Sequence, residues 1–459
     1  MNQRWTLHVE NFARIKEADI EISPLMCFIG DNNSGKSYMM SLLWGLLVFD
    51  DVLYENPILD MPEFIECKKW ITDHVGKTIL IDKKTENLYI NFFNKLLELR
   101  KNELTKRIFN HEIEIGKFEI LKFTRFQKMK VQIKKSIQKA QLSHSINFSF
   151  SDDTLAKDKF IIEFPINNKN LDLDAYIWHV TFFITWNLLM FGISKIFPAE
   201  EKDFSTVYLP ASRTGLLLTY KQIASKSIDM LYSNQSEDKY FKEKLTAPYV
   251  QFLQLLINLE NPIEPKDEKK ENLIHFLNQK IVKGTVTVKD DGRVICYKSD
   301  DMSYEIPMSI TSSVVTEIAS FLLLLKTKIP IKLIVIEEPE AHLHPALQKK
   351  ITQLLIRFVH SGVPIWITTH SDTILQHFNN MIKLNNRSEQ EHDELLKRFN
   401  YTKDDLLSPD EINLYQFTRE DKHTTIKSLE SGKYGFVVPS FNKAIDELMQ
   451  EIFAFQEDD

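Results

Sequence analysis

Gly30-Asp31-Asn32-Asn33-Ser34-Gly35-Lys36-Ser37 forms a short loop between an apolar strand, Met26 to Ile29, and an apolar helix, Ser37 to Phe49. It matches G-x-x-x-x-G-K-[ST]. Gly30 and Gly35 let the backbone N–H groups, those of Asn32, Asn33 and Ser34 among them, curl round phosphates. Lys36 reaches the β/γ-phosphates, and the Ser37 hydroxyl can ligate Mg²⁺ at a helix N-terminus whose dipole favours an anion. Glycine is scarce here, 12 in 459 residues, against a usual share of about 7%. Two glycines at the required spacing are therefore not a by-product of composition.

Working outward, Leu7 and Val9 alternate with polar neighbours, and Ile15 to Ile20 can pair back on them, so the first 50 residues read β-β-β-loop-α. A second stretch, Ser309 to Leu384, alternates helix and strand. Ser312 to Leu325 and Leu343 to Phe358 are helical, while Leu333 to Ile336 and Ile365 to Thr368 are continuous apolar runs, which predicts a parallel sheet covered on both faces. The run Leu333 to Ile336 ends in Glu337-Glu338-Pro339-Glu340. At the carboxyl end of a parallel strand beside the loop, Glu337 can complete a Mg²⁺ shell and Glu338 can polarise a water for attack on a γ-phosphate. Lys36 and Glu338 lie 302 positions apart, so long insertions separate the motifs.

Between them, residues 51–203 mix helical periodicity (Leu88 to Phe109) with period-2 stretches (Lys128 to Ile133, Ile146 to Phe150) and read as an inserted lobe. Its Tyr176 to Phe197 segment is long enough to cross a bilayer, yet His179, Thr181, Thr185, Asn187 and Ser194 interrupt it, so it reads as a buried or oligomer-forming helix. Tyr208 to Pro210 resumes as a strand, Leu216 to Ile257 looks helical, Asn261 to Glu271 reads as a charged linker, and Thr285 to Val288 with Val294 to Tyr297 reads as a hairpin turning at Asp290-Asp291-Gly292. The last residues, 385–459, hold a strand at Ile412 to Gln416, a turn at Gly432 to Gly435 and an amphipathic helix, Phe441 to Phe453.

The length predicts roughly three domain-sized pieces, or one large domain with insertions. Apolar residues at 43% and charged residues at 26% exclude fibrous and disordered classes. A net charge of -7 gives no global attraction for nucleic acid or lipid. The exception is local: Lys95 to Lys139 carries thirteen Lys/Arg against five Glu, with Phe118, Phe123 and Phe126 interleaved, which reads as a solvated face or one that docks an acidic partner protein, with a DNA-facing surface as the alternative. Cys27, Cys67 and Cys296 support neither disulfides nor zinc, and no targeting or membrane segment is read, so a cytoplasmic location is expected.

Together Val9-Glu10-Asn11-Phe12, the loop at 30–37, Tyr208-Leu209-Pro210-Ala211-Ser212-Arg213, Ser312 to Glu317, Ile336 to Pro345 and Thr368-Thr369-His370-Ser371-Asp372 resemble the ordered motifs of ABC-type ATPases of the SMC and OLD kind. These are commonly classed as AAA ATPases and occur in bacterial antiphage systems such as PARIS and Septu. The resemblance implies an α/β fold: an ABC-type P-loop NTPase head, a mixed sheet covered by helices, with a large, mainly helical inserted lobe. Its parts would be 1–50 with the phosphate loop, 51–203 as the lobe, 204–384 with the remaining motifs, and 385–459 as an α/β extension. ATP and Mg²⁺ are the implied cofactors, with Ser37 and Glu337 on the metal, Glu338 as base and His370 as the switch histidine on the γ-phosphate. Ser312 and Ser313, also an ordinary N-cap pair, would meet a second protomer's γ-phosphate. Ser212-Arg213 follow the strand on which relatives carry the glutamine loop, which puts Arg213 among the nucleotide contacts. Val314 and Val315 replace the signature glycines, and Glu337 replaces the usual Asp. The implied function is an oligomeric ATPase whose ATP state controls a separately encoded effector, a nuclease or toxin, with a phage protein as trigger. The alternative is a DNA-repair ATPase that clamps DNA with the basic lobe. A TOPRIM nuclease domain, as OLD nucleases carry, is not expected, because the stretch after His370 lacks its length and its acidic strand ends.

Overall fold

The computed structural model describes residues 3–136, 148–150, 159–165, 172–190, 193, 205–232, 245–258, 267–289, 294–327, 330–432, 435–438 and 449–455. In chain order the strands are β1 (Arg4–Phe12), β2 (Ile15–Glu21), β3 (Leu25–Gly30), β4 (Thr78–Leu80), β5 (Lys117–Arg125), β6 (Lys130–Ser136), β7 (Phe148–Phe150), β8 (Lys159–Pro165), β9 (Thr206–Leu209), β10 (Gly284–Lys289), β11 (Val294–Ser299), β12 (Ile306–Pro307), β13 (Leu333–Glu337), β14 (Ile365–Thr368), β15 (Ile412–Arg419) and β16 (Thr424–Leu429). The helices are α1 (Lys36–Val48), α2 (Asp50–Tyr54), α3 (Pro62–Asp73), α4 (Lys83–Phe109), α5 (Leu173–Met190), α6 (Arg213–Tyr232), α7 (Ala247–Ile257), α8 (Glu268–Phe276), α9 (Ser313–Leu325), α10 (Pro345–Ser361), α11 (Asp372–Asn385) and α12 (Glu389–Phe399). The expected turn at Asp290-Asp291-Gly292, the linker residues 261–266 and residues 441–448 of the C-terminal helix lie outside the described residues. Asp267 caps α8, so the end of the expected linker is helical.

Nine strands form the main sheet in the order β5-β1-β2-β16-β15-β3-β14-β13-β9. Its heart, β15-β3-β14-β13-β9, is parallel, while β1 pairs antiparallel with β2 and β5, and β15 pairs antiparallel with β16. The sheet is therefore mixed. The apolar strands are buried on both faces: Leu333 and Val335 point into one apolar cluster with α1, α4 and α5, and Ile334 and Ile336 into another with α9, α10 and α11.

Two features of residues 51–203 differ from the expected lobe. Strand β5 joins the main sheet as its edge, and β4, β6, β7 and β8 make a separate four-stranded sheet beside helices α3, α4 and α5. Its helices share the apolar cluster of α1. Gly45 makes this approach close, because a Cβ there would lie 2.2 Å from Ile108 Cδ1 on α4. The interleaved aromatics do not form an open stacking platform. Phe118 is buried, and Phe123 and Phe126 are half-buried against each other with ring centroids 4.9 Å apart.

Helix α5 is buried within its own chain, Phe183 completely, so it offers no surface for a permanent contact between copies. Trp178 Nε1 donates to Tyr54 O at 2.9 Å, and Trp5 Nε1 donates to Leu189 O at 2.9 Å. The polar side chains inside α5 are satisfied locally: Thr181 Oγ1, Thr185 Oγ1 and Asn187 Nδ2 each donate to the carbonyl four residues earlier at 2.8 Å. Among the described residues no helix is long and apolar enough to cross a membrane.

A buried histidine on α11, on the side of the sheet that packs α9 and α10, makes stability depend on pH. His377 is buried, its Nε2 has no hydrogen-bond partner, and burial, followed by the charge of Lys349, pushes its pKa down to about 4 from 6.5. The unfolded chain therefore binds the proton first, and stability should fall as pH drops from about 6.5 to about 4, by about 3 kcal/mol in all. Denaturant titrations across this range should show that slope in the wild type and lose most of it in His377→Gln. An equal slope in both would assign it to other groups.

Candidate functional site

The loop closes because its residues accept left-handed backbone where it turns: Asn33 has φ +57° and Gly35 φ +95°. Gly30, at φ +125°, is required for a second reason. A Cβ there would lie 2.0 Å from Phe417 O on β15. Strand β15 lies beside β3 along its whole length, the Asp31 N–H donates to Phe417 O at 3.2 Å, and Asp31 Oδ2 accepts from the Arg419 N–H at 2.9 Å. The C-terminal segment thus braces the loop. Gly30→Ala should destabilise the protein by about 3 kcal/mol or more, since both strain and a backbone clash are introduced. A denaturation midpoint equal to the wild type would show that β15 gives way freely.

Lys36 folds back over the loop instead of standing in solvent. Its Nζ donates to Gly30 O at 3.0 Å, to Asp31 O at 2.6 Å and to Ser34 Oγ at 3.4 Å. Burial lowers its pKa to about 8, against the opposing pull of Asp31, Glu338 and Glu340. Asn32, Asn33 and Ser37 are exposed around it, whereas Ser34 is buried.

Across from the loop, β13 ends in the two acids. Glu337 is buried: its Oε1 accepts from the Tyr208 hydroxyl at 2.8 Å and its Oε2 from the Ala211 N–H at 3.0 Å. Tyr208 Oη also lies 3.3 Å from Ser41 Oγ, one turn beyond Ser37 on α1. Each Glu337 oxygen keeps a lone pair, and Ser37 presents a hydroxyl, so the donors fit a hard, oxygen-liganded cation such as Mg²⁺. Glu338 has φ +44°, and its side chain is 44% exposed. His370, at the end of β14, places Nε2 4.0 Å from Glu338 Oε1. Burial and the Lys36 charge lower the His370 pKa, which favours the neutral imidazole.

In the sequence Glu340 shows only as the last acid of the strand-end run. In the structure its Oε1 accepts from the His370 N–H at 2.7 Å, so it fixes the histidine's backbone, and burial raises its pKa. In the sequence Tyr208 shows only as part of a strand, and no local signal marks its hydroxyl as a partner of Glu337.

Two sets of expected residues do not stand as the resemblance implied. Arg213 is fully buried and holds backbone: Nη1 donates to Glu337 O at 2.6 Å and Pro210 O at 3.2 Å, Nη2 donates to Glu338 O at 3.0 Å, and the guanidinium is paired with buried Glu317. It is not placed as a nucleotide contact. An acid in the apolar run Ser313 to Leu325 was the signal that a buried cation must meet it. Ser312 and Ser313 are exposed at the start of α9, where Ser312 Oγ accepts from the Val315 N–H at 3.4 Å as an N-cap.

A loop with G-x-x-x-x-G-K-S spacing at the carboxyl end of a parallel strand, with acids at the end of the next strand but one, is the arrangement of the P-loop NTPase class. The chain belongs to the AAA ATPase domain family, whose model matches residues 6–375. No curated protein matches it. Solved structures similar to it include an SMC head bound to the C-terminal winged-helix domain of ScpA, at 11% identity and TM-score 0.36, covering 93% of this chain and 98% of that one. The SMC head domain from Thermotoga maritima is similar at 11% identity and TM-score 0.34, with coverage of 94% and 100%. An Smc head with an extended coiled coil, bound to the C-terminal domain of ScpA derived from Pyrococcus furiosus, is similar at 11% identity and TM-score 0.35, with coverage of 98% and 99%.

Proposed function

We propose that this chain binds ATP with Mg²⁺ at residues 30–37 and hydrolyses it, and that its ATP state controls a separately encoded effector, a nuclease or toxin, in bacterial antiphage defence, with a phage protein as trigger. The observation that carries the ATPase reading is the convergence of Lys36, Glu338 and His370 on one mouth, each within electrostatic reach of the others. Lys36 neutralises phosphate charge, Glu338 accepts the proton of the attacking water, and neutral His370 donates to the γ-phosphate. Ser37 and Glu337 would hold the Mg²⁺, which draws charge from the phosphate oxygens.

Two copies would close on ATP, the exposed N-terminus of α9 in one meeting the γ-phosphate held by the other. Ser313→Arg tests this. The variant should bind ATP as the wild type does and fail to associate on ATP addition, with turnover reduced. Light scattering that still shows ATP-driven association would remove α9 from the interface. The effector arm is checked by copurification: a protein encoded beside this one should elute with it and leave or become active on triggering.

A DNA clamp is the second reading, favoured by Lys122, Arg125, Lys128, Lys130, Lys134 and Lys135, all exposed along the β5 edge strand, β6 and the connection between them. It requires DNA binding that weakens steeply with salt.

A further inference from the structure

Helix α9 presents Ser312 and Ser313 to solvent, yet Glu317, one turn further along, is fully buried. Its carboxylate is held by Arg213 and by the Thr214 hydroxyl. The same guanidinium reaches the other way to the carbonyls of Glu337 and Glu338, at 2.6 and 3.0 Å, and lies 6.0 Å from the Phe321 ring of α9. One buried side chain therefore joins the helix that carries the exposed serines to the backbone of both acids.

That backbone is strained. Glu338 has φ +44°, a conformation that a residue with a Cβ adopts at a cost of about 1–3 kcal/mol unless its surroundings impose it. It is gripped at both ends, its N–H donating to Thr368 O at 2.8 Å and its carbonyl accepting from Arg213. Burial works against both charges of the pair, lowering the Arg213 pKa and raising that of Glu317. A buried pair of this kind adds little net stability over an apolar pair of similar volume. What it supplies is position.

We propose that Arg213 is a positioning residue that sets the backbone of Glu338 and couples it, through Glu317, to whatever docks on the N-terminus of α9. The side chain of the base is aimed by a backbone that Arg213 shares with α9, so a shift of that helix moves the base relative to the loop. The inference rests on the ATPase reading for its consequence in turnover, but not for its structural content.

The test compares wild type with Arg213→Lys and with the paired substitution Arg213→Met and Glu317→Leu. Lysine keeps the charge pair but cannot bond both carbonyls in the same geometry, and the apolar pair keeps the volume without the buried charges. Each variant should melt within a few degrees of the wild type and bind a fluorescent ATP analogue within about threefold. Each should lose turnover on the order of 10²-fold, entirely in kcat. In nucleotide-free protein, hydrogen exchange at the Glu338 amide should be at least about tenfold faster, with β13 otherwise protected as before. The lysine variant keeps the test open if the apolar pair does not fold. A folded variant with wild-type exchange at Glu338 overturns the inference even if the wild type proves to have no turnover. Wild-type turnover in either folded variant overturns it as well. A wild type without turnover, combined with accelerated exchange in the variants, overturns the ATPase reading and leaves the positioning role standing.

Discussion

Lys36→Ala should raise the ATP dissociation constant by about 10²–10³-fold, the loss of about 3–4 kcal/mol that charge-assisted bonds to two phosphates represent. The fold should survive, because the ammonium caps loop oxygens at the edge of the core rather than filling it. The same contacts give a pH signature. With no nucleotide bound, burial holds the Lys36 pKa at about 8. Phosphates favour the ammonium and raise the value, so ATP binding takes up a proton above pH 8. Affinity should therefore fall as pH rises through about 8, and Lys36→Ala should remove that dependence. Calorimetry in two buffers of different ionisation enthalpy measures both. An affinity equal to the wild type in Lys36→Ala would displace the phosphate site from the loop.

Glu338→Gln should leave ATP affinity within a few fold and slow hydrolysis by about 10²–10⁴-fold, since the amide cannot accept the water proton. The side chain is 44% exposed and has His370 4.0 Å away, so the isosteric change leaves no buried charge unpaired and should shift the melting temperature little. Single-turnover phosphate release measures the chemical step directly. The variant should also accumulate the ATP-bound pair of heads, visible as a nucleotide-dependent rise in mass by light scattering. Retained turnover would make Glu340 the next base to test, although its bond to the His370 N–H already occupies one of its oxygens.

The sequence alone determined much of the central machinery. The G-x-x-x-x-G-K-S spacing, the continuous apolar runs at Leu333 to Ile336 and Ile365 to Thr368, and the acids that end the first of them are local patterns. Strands covered on both faces must be apolar throughout, and a phosphate loop needs its glycines at set intervals, so these elements can be read without knowing what they pack against. The placement of β15 beside β3 was not legible. The pattern at Ile412 to Gln416 announces a strand but not its neighbour, and the pairing that makes Gly30 obligatory joins residues almost 400 positions apart. Arg213 and Ser212 look alike in a linear motif as candidates to face a phosphate. Only the tertiary structure turns Arg213 inward, because Glu317 is carried into the core by the apolar face of α9 and its charge must be met there. Helix α5 is apolar on all sides, which fits burial inside one chain as well as burial between two. Its packing with α3 and α4 in one apolar cluster decided for the former, since the choice depends on which surfaces the rest of the chain leaves uncovered.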